Sequence, residues 1–174
     1  MMKLVGLVLS ISVLLLSLVA VVVSSSLVSA SPSIIRVPQD YETIQEAVNS
    51  ADSGDVIYVQ NGTYHERVII YKSNLTLIGE NRDTTVIDGQ EGDTISLKAN
   101  NVTISGFTLT HGYSGVQIFP WTHGHVIRSN SILDNDFGIR GHYDVYDTVI
   151  SNNIIASNTH VGIELAFYNS AVIK

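Results

Sequence analysis

The chain has 174 residues, 14% of them charged and 45% hydrophobic, which is enough for one domain with a core but not for two. Its formal net charge is −7, and the acidic balance without a basic patch argues against nucleic acid and anionic membrane surfaces as binding partners. The chain contains no cysteine, which excludes disulfides and thiolate metal sites.

Residues 1–30 have the composition of an export signal. Lys3 is followed by an apolar run from Leu4 to Val23, and a serine-rich stretch then ends at Ala30. This order predicts a secretory signal peptide that is cleaved after Ala30. Because the apolar run approaches the ~20 residues that span a bilayer, an uncleaved N-terminal membrane anchor is the alternative. Both interpretations place the rest of the chain outside the cell or in the periplasm, with the membrane contacted only through this segment.

One amphipathic helix is predicted near the start of the exported part, over residues 40–51. Its apolar residues fall on one helical face: Ile44, Ala47, Val48 and Ala51. Asp40 is the expected N-cap, and Ser53-Gly54 is expected to end the helix. A single helix ahead of β-structure is typical of a lid that covers the open end of a repeat core.

A 23-residue repeat dominates residues 102–174. Apolar residues recur at this spacing: Ile104, Ile127, Ile150 and Ile173, and also Leu109, Ile132 and Ile155. Asparagines and Gly-Val or Gly-Ile pairs follow it closely: Asn130 and Asn153, Asn135 and Asn158, Gly115-Val116, Gly138-Ile139 and Gly162-Ile163. The period is too short for paired helices or propeller blades. Short β-branched pieces separated by Asn, Gly, Asp and Ser predict strands and turns.

Strands this short bury a core only if successive coils stack, each strand pairing with its equivalent at about 4.8 Å. Residues 31–174 are therefore predicted to form an all-β fold, a single-stranded parallel β-helix, with the helix over residues 40–51 as its N-terminal cap. The isoleucines should form one interior column. The asparagines should sit at turns, where they tolerate left-handed backbone and bond the next coil. Because the sequence stops at Lys174 inside an expected strand, an incomplete C-terminal end is also predicted, from a truncated gene or an excised fragment, and an end covered by a partner chain is the alternative.

Several motifs resemble a known superfamily. They are the stretch Asp40 to Val48, the Gly54-Asp55 to Val68 segment, Leu75 to Asn81, and Thr85 to Gly89. Together they look like the start of pectin-lyase-like right-handed β-helices, shared by pectin methylesterases and NosD-like proteins. The later Asn-x-Ile-x-x-Asn-x-x-Gly-Ile units resemble the repeat of NosD-like and archaeal surface proteins. This resemblance covers nearly all of 33–174 and implies the fold, but the superfamily includes lyases, hydrolases, esterases and non-enzymes.

The resemblance to pectin methylesterases implies two catalytic aspartates, each following a core strand. Aligning those strands on Ile132 and Ile155 places the aspartates near Phe137 and His160, and neither is a carboxylate. A shift by one residue brings Asp136 onto the first position and leaves the second without a partner. Because nucleophile and base must both be present, these residues argue against esterase activity.

An acidic patch is the best candidate for catalysis. Asp134 and Asp136 lie two residues apart and would point to one face of a strand, and the 23-residue register places His111 beside Asp134 and Tyr113 beside Asp136. Clustered carboxylates suit polysaccharide hydrolysis, and the same oxygens suit calcium. The alternative is a solvated turn.

Metal binding and ligand binding have further candidates. His123 and His125 would project from one side of a strand, a spacing suited to copper or zinc, with scattered surface histidine as the alternative. Aromatic residues in the loops of the regular coils are candidates for stacking on sugars: Tyr113, Trp121, Tyr143 and Tyr146. Three Asn-x-Thr sequons permit N-glycosylation, at Asn61, Asn74 and Asn101.

Three functional hypotheses result. The favoured one is a non-catalytic, exported or cell-surface module that either binds carbohydrate or acts as a structural or interaction protein, with a polysaccharide or another cell-envelope component as its partner. The second is a carbohydrate-active hydrolase or lyase that uses Asp134 and Asp136. The third is a NosD-like protein associated with copper through His123 and His125.

Overall fold

The computed structural model describes residues 31–166 and 170–174, in which the chain winds through three parallel β-sheets. The predicted signal peptide or anchor, residues 1–30, lies outside the described residues. Within the described ranges, no helix is both long and apolar enough to cross a membrane. Each coil of the chain runs from sheet 1 through sheet 2 to sheet 3, so the turns are named here the 1–2, 2–3 and 3–1 turns.

Every pair of neighbouring strands within the three sheets is parallel. Sheet 1 contains β1 (Ile34–Val37), β2 (Val56–Val59), β5 (Thr76–Gly79), β8 (Thr103–Ser105), β11 (Val126–Arg128), β14 (Tyr146–Ser151) and β17 (Ser170–Ile173). Sheet 2 contains β3 (Gly62–His65), β6 (Thr85–Asp88), β9 (Thr108–Thr110), β12 (Ser131–Leu133) and β15 (Ile154–Ala156). Sheet 3 contains β4 (Val68–Ile70), β7 (Ile95–Leu97), β10 (Ser114–Ile118), β13 (Phe137–His142) and β16 (Val161–Ala166).

The predicted interior column of isoleucines is confirmed. Ile104, Ile127, Ile150 and Ile173 are successive partners in sheet 1. The column continues upstream through residues that the 23-residue spacing does not reach: Ile35, Ile57 and Leu77. Its middle members are fully buried, whereas Ile173 at the last strand is 58% exposed. The second column, Leu109, Ile132 and Ile155, is also in register, in sheet 2.

Asparagine side chains connect successive coils at two turns, as predicted. At the 1–2 turn, Asn130 Oδ1 accepts from the Phe107 backbone N–H, and Asn153 Oδ1 accepts from Asn130 N–H. The left-handed conformation, however, belongs to the preceding residue, such as Ser129 with φ 57°. The expectation of left-handed asparagines in the ladders was therefore wrong. The preceding residue makes the bend, which leaves the asparagine to point inward.

The helix α1 (Ile44–Ser50) is shorter than the predicted 40–51. Its N-cap is Thr43, which forms a reciprocal capping box with Glu46, and its C-cap is Ala51. Asp40 is not the cap, because its carboxylate accepts the Arg36 backbone N–H instead. The predicted apolar face is buried against the first strands, but closure of the end of the stack by this helix stays a prediction.

Candidate functional site

A cleft of about 590 Å³ opens at the 2–3 turns of four successive coils. Its lining includes all four residues of the predicted acidic patch, His111, Tyr113, Asp134 and Asp136. The lining residues that sequence reasoning missed are Glu91, Gly112, Asn135 and Thr159. The three intervals between these four coils, at about 4.8 Å each, give the cleft a length of about 14 Å. The predicted clustering of His111, Tyr113, Asp134 and Asp136 is therefore confirmed.

The two aspartates lie in a turn and not in a strand, because β12 ends at Leu133 and β13 begins at Phe137. Asp134 is exposed with a left-handed φ of 55°, and Asp136 is half-buried. Between them Asn135 is 2% exposed and bonds to the coils on both sides, accepting from Gly112 N–H at 2.9 Å. The strand placement was wrong, but the buried Asn135 holds both carboxylates at the cleft.

A carboxylate between two imidazoles adjoins the cleft. Asp88 Oδ2 lies 3.2 Å from His111 Nδ1 and 3.4 Å from His65 Nδ1. Partial burial opposes ionisation of Asp88, but the Gln90 amide and the two imidazoles together lower the pKa of its carboxyl below the usual value. Asp88 therefore orients His111 at the rim. The 23-residue spacing that links His65, Asp88, His111 and Asp134 was the signal that could have revealed this column.

Tyr113 is held at the rim by a layer of side chains on sheet 3. Its ring is 40% exposed and makes an edge contact with Phe137 at 5.4 Å between centroids, and Arg140 Nη1 donates to its hydroxyl at 3.1 Å. Glu164 accepts from Arg140 Nε at 3.0 Å, and His160 stacks on Phe137 at 5.2 Å. Tyr113 is therefore positioned before any ligand arrives. The two positions that the esterase alignment predicted for aspartates, Phe137 and His160, belong to this layer.

The other predicted aromatic candidates lie elsewhere. Trp121 and Tyr143 follow the sheet 3 strands β10 and β13, at the opposite ends from Tyr113, and are 71% and 56% exposed. Tyr146 begins β14 in sheet 1 and packs against His123 with ring centroids 5.9 Å apart. The structure thus places one of the four aromatic candidates at the cleft and three on the 3–1 side.

The two histidines proposed for copper have different environments. His125 is 0% exposed, and among the described residues neither of its ring nitrogens makes a hydrogen bond of ordinary geometry, although the Val102 backbone lies close enough to act weakly on its pKa. Burial, with a smaller contribution from His123, lowers its pKa to about 4, so the imidazole is neutral at pH 7. His123 is half-buried and outside the named strands, and Gly124 between them has φ 73°. The prediction that His123 and His125 project from one side of a strand is therefore wrong, because β11 begins only at Val126, and copper binding stays a prediction.

Metal ligands are sparse in the part of the chain that the structure describes. Those residues contain no group of three or more His, Asp or Glu side chains arranged to hold a metal ion. Calcium at Asp134 and Asp136 likewise stays a prediction, since two carboxylates provide only part of the six to eight oxygen ligands that calcium takes.

The family comparison agrees with this architecture. Residues 34–174 match the family model described as right handed beta helix region. The chain belongs to this β-helix family. A cell surface glycoprotein of Methanothermus fervidus is 33% identical over 122 residues, which cover 68% of this chain and 20% of that protein. A probable pectinesterase/pectinesterase inhibitor of Arabidopsis thaliana is 36% identical over 81 residues, covering 43% of this chain and 14% of that protein.

Solved structures support the same fold. Pectin methylesterase PemA from Erwinia chrysanthemi superposes with a TM-score of 0.51 at 18% identity, covering 71% of this β-helix chain and 50% of that one. At this identity the likeness shows the fold alone. The chain spans about a fifth or less of the length of the two relatives above, so their activities do not transfer to it directly.

Proposed function

We propose that the chain is a cell-surface β-helix module that binds a neutral oligosaccharide in the cleft at the 2–3 turns, without cleaving it. The exposed ring of Tyr113 beside three carboxylates carries this proposal. The surface location is taken from the Methanothermus relative, whose name states that it is a cell surface glycoprotein.

Each part of the cleft suits a sugar. The apolar face of a pyranose stacks on an aromatic ring, and the prepositioned Tyr113 offers one at low entropic cost. Carboxylates accept hydrogen bonds from sugar hydroxyls, and Glu91, Asp134 and Asp136 provide them along the cleft. Because these groups are acidic, the cleft disfavours uronates and other anionic sugars.

The test is a glycan array on the purified full chain, followed by calorimetric titration of the best ligand. Tyr113→Ala should weaken binding about tenfold, since losing a stacking contact costs about 1.4 kcal/mol. Tyr71→Ala is the matched control, because Tyr71 is 65% exposed and does not line the cleft. The proposal fails if no glycan binds, or if Tyr113→Ala and Tyr71→Ala have equal effects.

A second candidate function, glycoside hydrolysis, rests on the His111–Asp88 contact of 3.2 Å. A carboxylate that orients an imidazole is a common device for general acid–base catalysis, and Asp134 and Asp136 lie in the same cleft. Incubation of the bound oligosaccharide with the chain, followed by chromatography, separates the two functions. Cleavage that His111→Gln abolishes would establish the hydrolase and overturn the non-catalytic proposal.

A further inference from the structure

The three Asn-x-Thr sequons occupy two different environments in the fold. All three asparagines are exposed. Asn61 lies in the 1–2 turn that leads into β3, whereas Asn74 and Asn101 lie in the 3–1 turns of successive coils. The three side-chain amides therefore have different neighbours in the adjacent coils.

Asn74 and Asn101 use their side-chain amides to connect coils. Asn74 Nδ2 donates to Ser53 Oγ at 2.8 Å, and Asn101 Nδ2 donates to Asn74 Oδ1 at 3.0 Å. The two sites are one coil apart, about 4.8 Å, so a glycan on one would cover the other. In the coil on the other side of Asn101, Gly124 packs against Asn101 Oδ1 so closely that a side chain at position 124 would clash with it. The Nδ2 atoms of both asparagines therefore already donate to the adjacent coil.

Asn61 is held differently. Its backbone N–H donates to Glu80 Oε2 at 2.9 Å, and its Oδ1 accepts from Thr84 Oγ1 at 2.6 Å. These contacts fix the side chain through its oxygen. Its Nδ2 makes no hydrogen bond to the residues that the structure describes, and the residue is exposed, so this amide nitrogen is not engaged by a neighbouring coil. Thr63, the hydroxyl residue of the sequon, is exposed on β3.

Asn61 also lies at the end of sheet 2, among the strands that the structure describes. β3 is the terminal strand of sheet 2 among the described strands, with β6 as its neighbour. The helix α1 packs on β1, β2 and β4. A glycan at Asn61 would therefore lie next to the last described strand of sheet 2, where it would hinder edge-to-edge association with another chain.

We propose that Asn61, and not Asn74 or Asn101, carries an N-linked glycan in the folded protein. In the transfer, the bond from sugar C1 to the phosphate oxygen of a lipid-linked oligosaccharide breaks and a C1–Nδ2 bond forms. The asparagine amide loses one proton, and the lipid phosphate leaves with the bonding electron pair. The Asn-Gly-Thr sequon provides the recognition element.

The experiment treats the purified, folded full chain with a purified asparagine oligosaccharyltransferase and its lipid-linked oligosaccharide, and maps glycopeptides by mass spectrometry. We expect one glycan, on Asn61. Asn61→Gln and Thr63→Ala should abolish the mass increase, and Thr63→Ser should retain it. Asn74→Gln and Asn101→Gln are the matched controls and should leave it unchanged.

Synthetic peptides that contain each sequon measure what sequence alone permits. We expect all three peptides to be glycosylated, so the selection in the folded chain comes from the structure. Glycosylation of the folded chain at Asn74 or Asn101 as readily as at Asn61 would overturn the proposal, and so would an unmodified Asn61. The inference relies on the surface location proposed above, but the transfer needs no cleft ligand. A glycan array without binding would therefore overturn the proposed cleft function and not the glycosylation of Asn61. An unmodified Asn61 would overturn the glycosylation and not the cleft function.

Discussion

The 1–2 turn and the 2–3 turn of the same coils use polar residues in different ways. The first consists of Ser129 and Asn130 between β11 and β12, and Asn130 is 0% exposed. The second has three residues, and its middle residue, Asn135, is likewise buried. The additional residue allows Asp134 and Asp136 to flank the ladder and face the cleft. One buried asparagine per turn is enough to connect the coils, so the flanking positions are available for binding.

The largest expected effect tests the structural side of this comparison. Asn130→Ala should lower the free energy of unfolding by about 4 kcal/mol, because it leaves the buried Phe107 N–H and the Ile104 carbonyl without their partner. Urea unfolding followed by circular dichroism measures it. Asn158→Ala, at the half-buried last step of the ladder, should cost about 1 kcal/mol. If the two variants lost the same free energy of unfolding, burial would not determine how much each asparagine stabilises the fold.

The glycine repeat provides the next test. A Cβ on Gly138 would lie 2.3 Å from the Gly162 carbonyl oxygen and 2.8 Å from Ile155 Cγ2, so there is no room for one between these coils. Gly138→Ala should therefore destabilise the chain by about 3 kcal/mol. Gly62→Ala is the control, because the nearest atom to its added Cβ would be Tyr64 Cε2 at 3.4 Å, an ordinary van der Waals distance. A thermal melt in which both variants behave alike would contradict the close stacking at Gly138.

The buried His125 predicts a pH dependence. Its folded-state pKa of about 4 lies below the ordinary 6.5, so the unfolded state binds the proton more readily between these values. The contribution of the neutral His125 to the free energy of unfolding is therefore fully present above pH 6.5 and is lost as the pH drops towards 4. Linkage gives a loss of about 2 kcal/mol between pH 7 and pH 5.

His125→Leu should remove most of this slope in urea unfolding, because the apolar side chain cannot be protonated. His160→Gln is the control, since His160 is exposed and should leave the slope unchanged. A slope that persists in His125→Leu would assign the pH dependence to another group.

The smallest effect on stability is expected at the cleft. Asp136→Ala should weaken oligosaccharide binding about tenfold, through the loss of a charged hydrogen bond worth about 1.4 kcal/mol. It should change the free energy of unfolding by less than about 0.5 kcal/mol, as is usual for residues outside the core. A large loss of stability with unchanged binding would reverse the roles assigned to Asp136 and Asn135.

Most of the fold could be predicted because like residues stack on like in a parallel solenoid. The spacing of Ile104, Ile127, Ile150 and Ile173 was enough to identify the interior column and the coil length. The upstream coils were harder to align, since Ile57, Leu77 and Ile104 are 20 and 27 residues apart. The turns of these coils differ in length, so the spacing in the sequence is irregular. The hydrogen bonds of sheet 1 nevertheless keep the three residues in register.

The sequence by itself determined the columns, the asparagine ladders and the cluster of His111, Tyr113, Asp134 and Asp136. These follow from a constant coil length, because residues one coil length apart in the sequence become neighbours in adjacent coils. The tertiary structure alone decided which side of a turn each polar residue faces. Neighbouring residues such as Asp134 and Asn135 have similar polarity, and one left-handed φ sends them in opposite directions. The tertiary structure also decided that Arg140 and Phe137 contact Tyr113, and that His125 is buried in the interior. These contacts depend on how sheet 3 and its turns fold over the core.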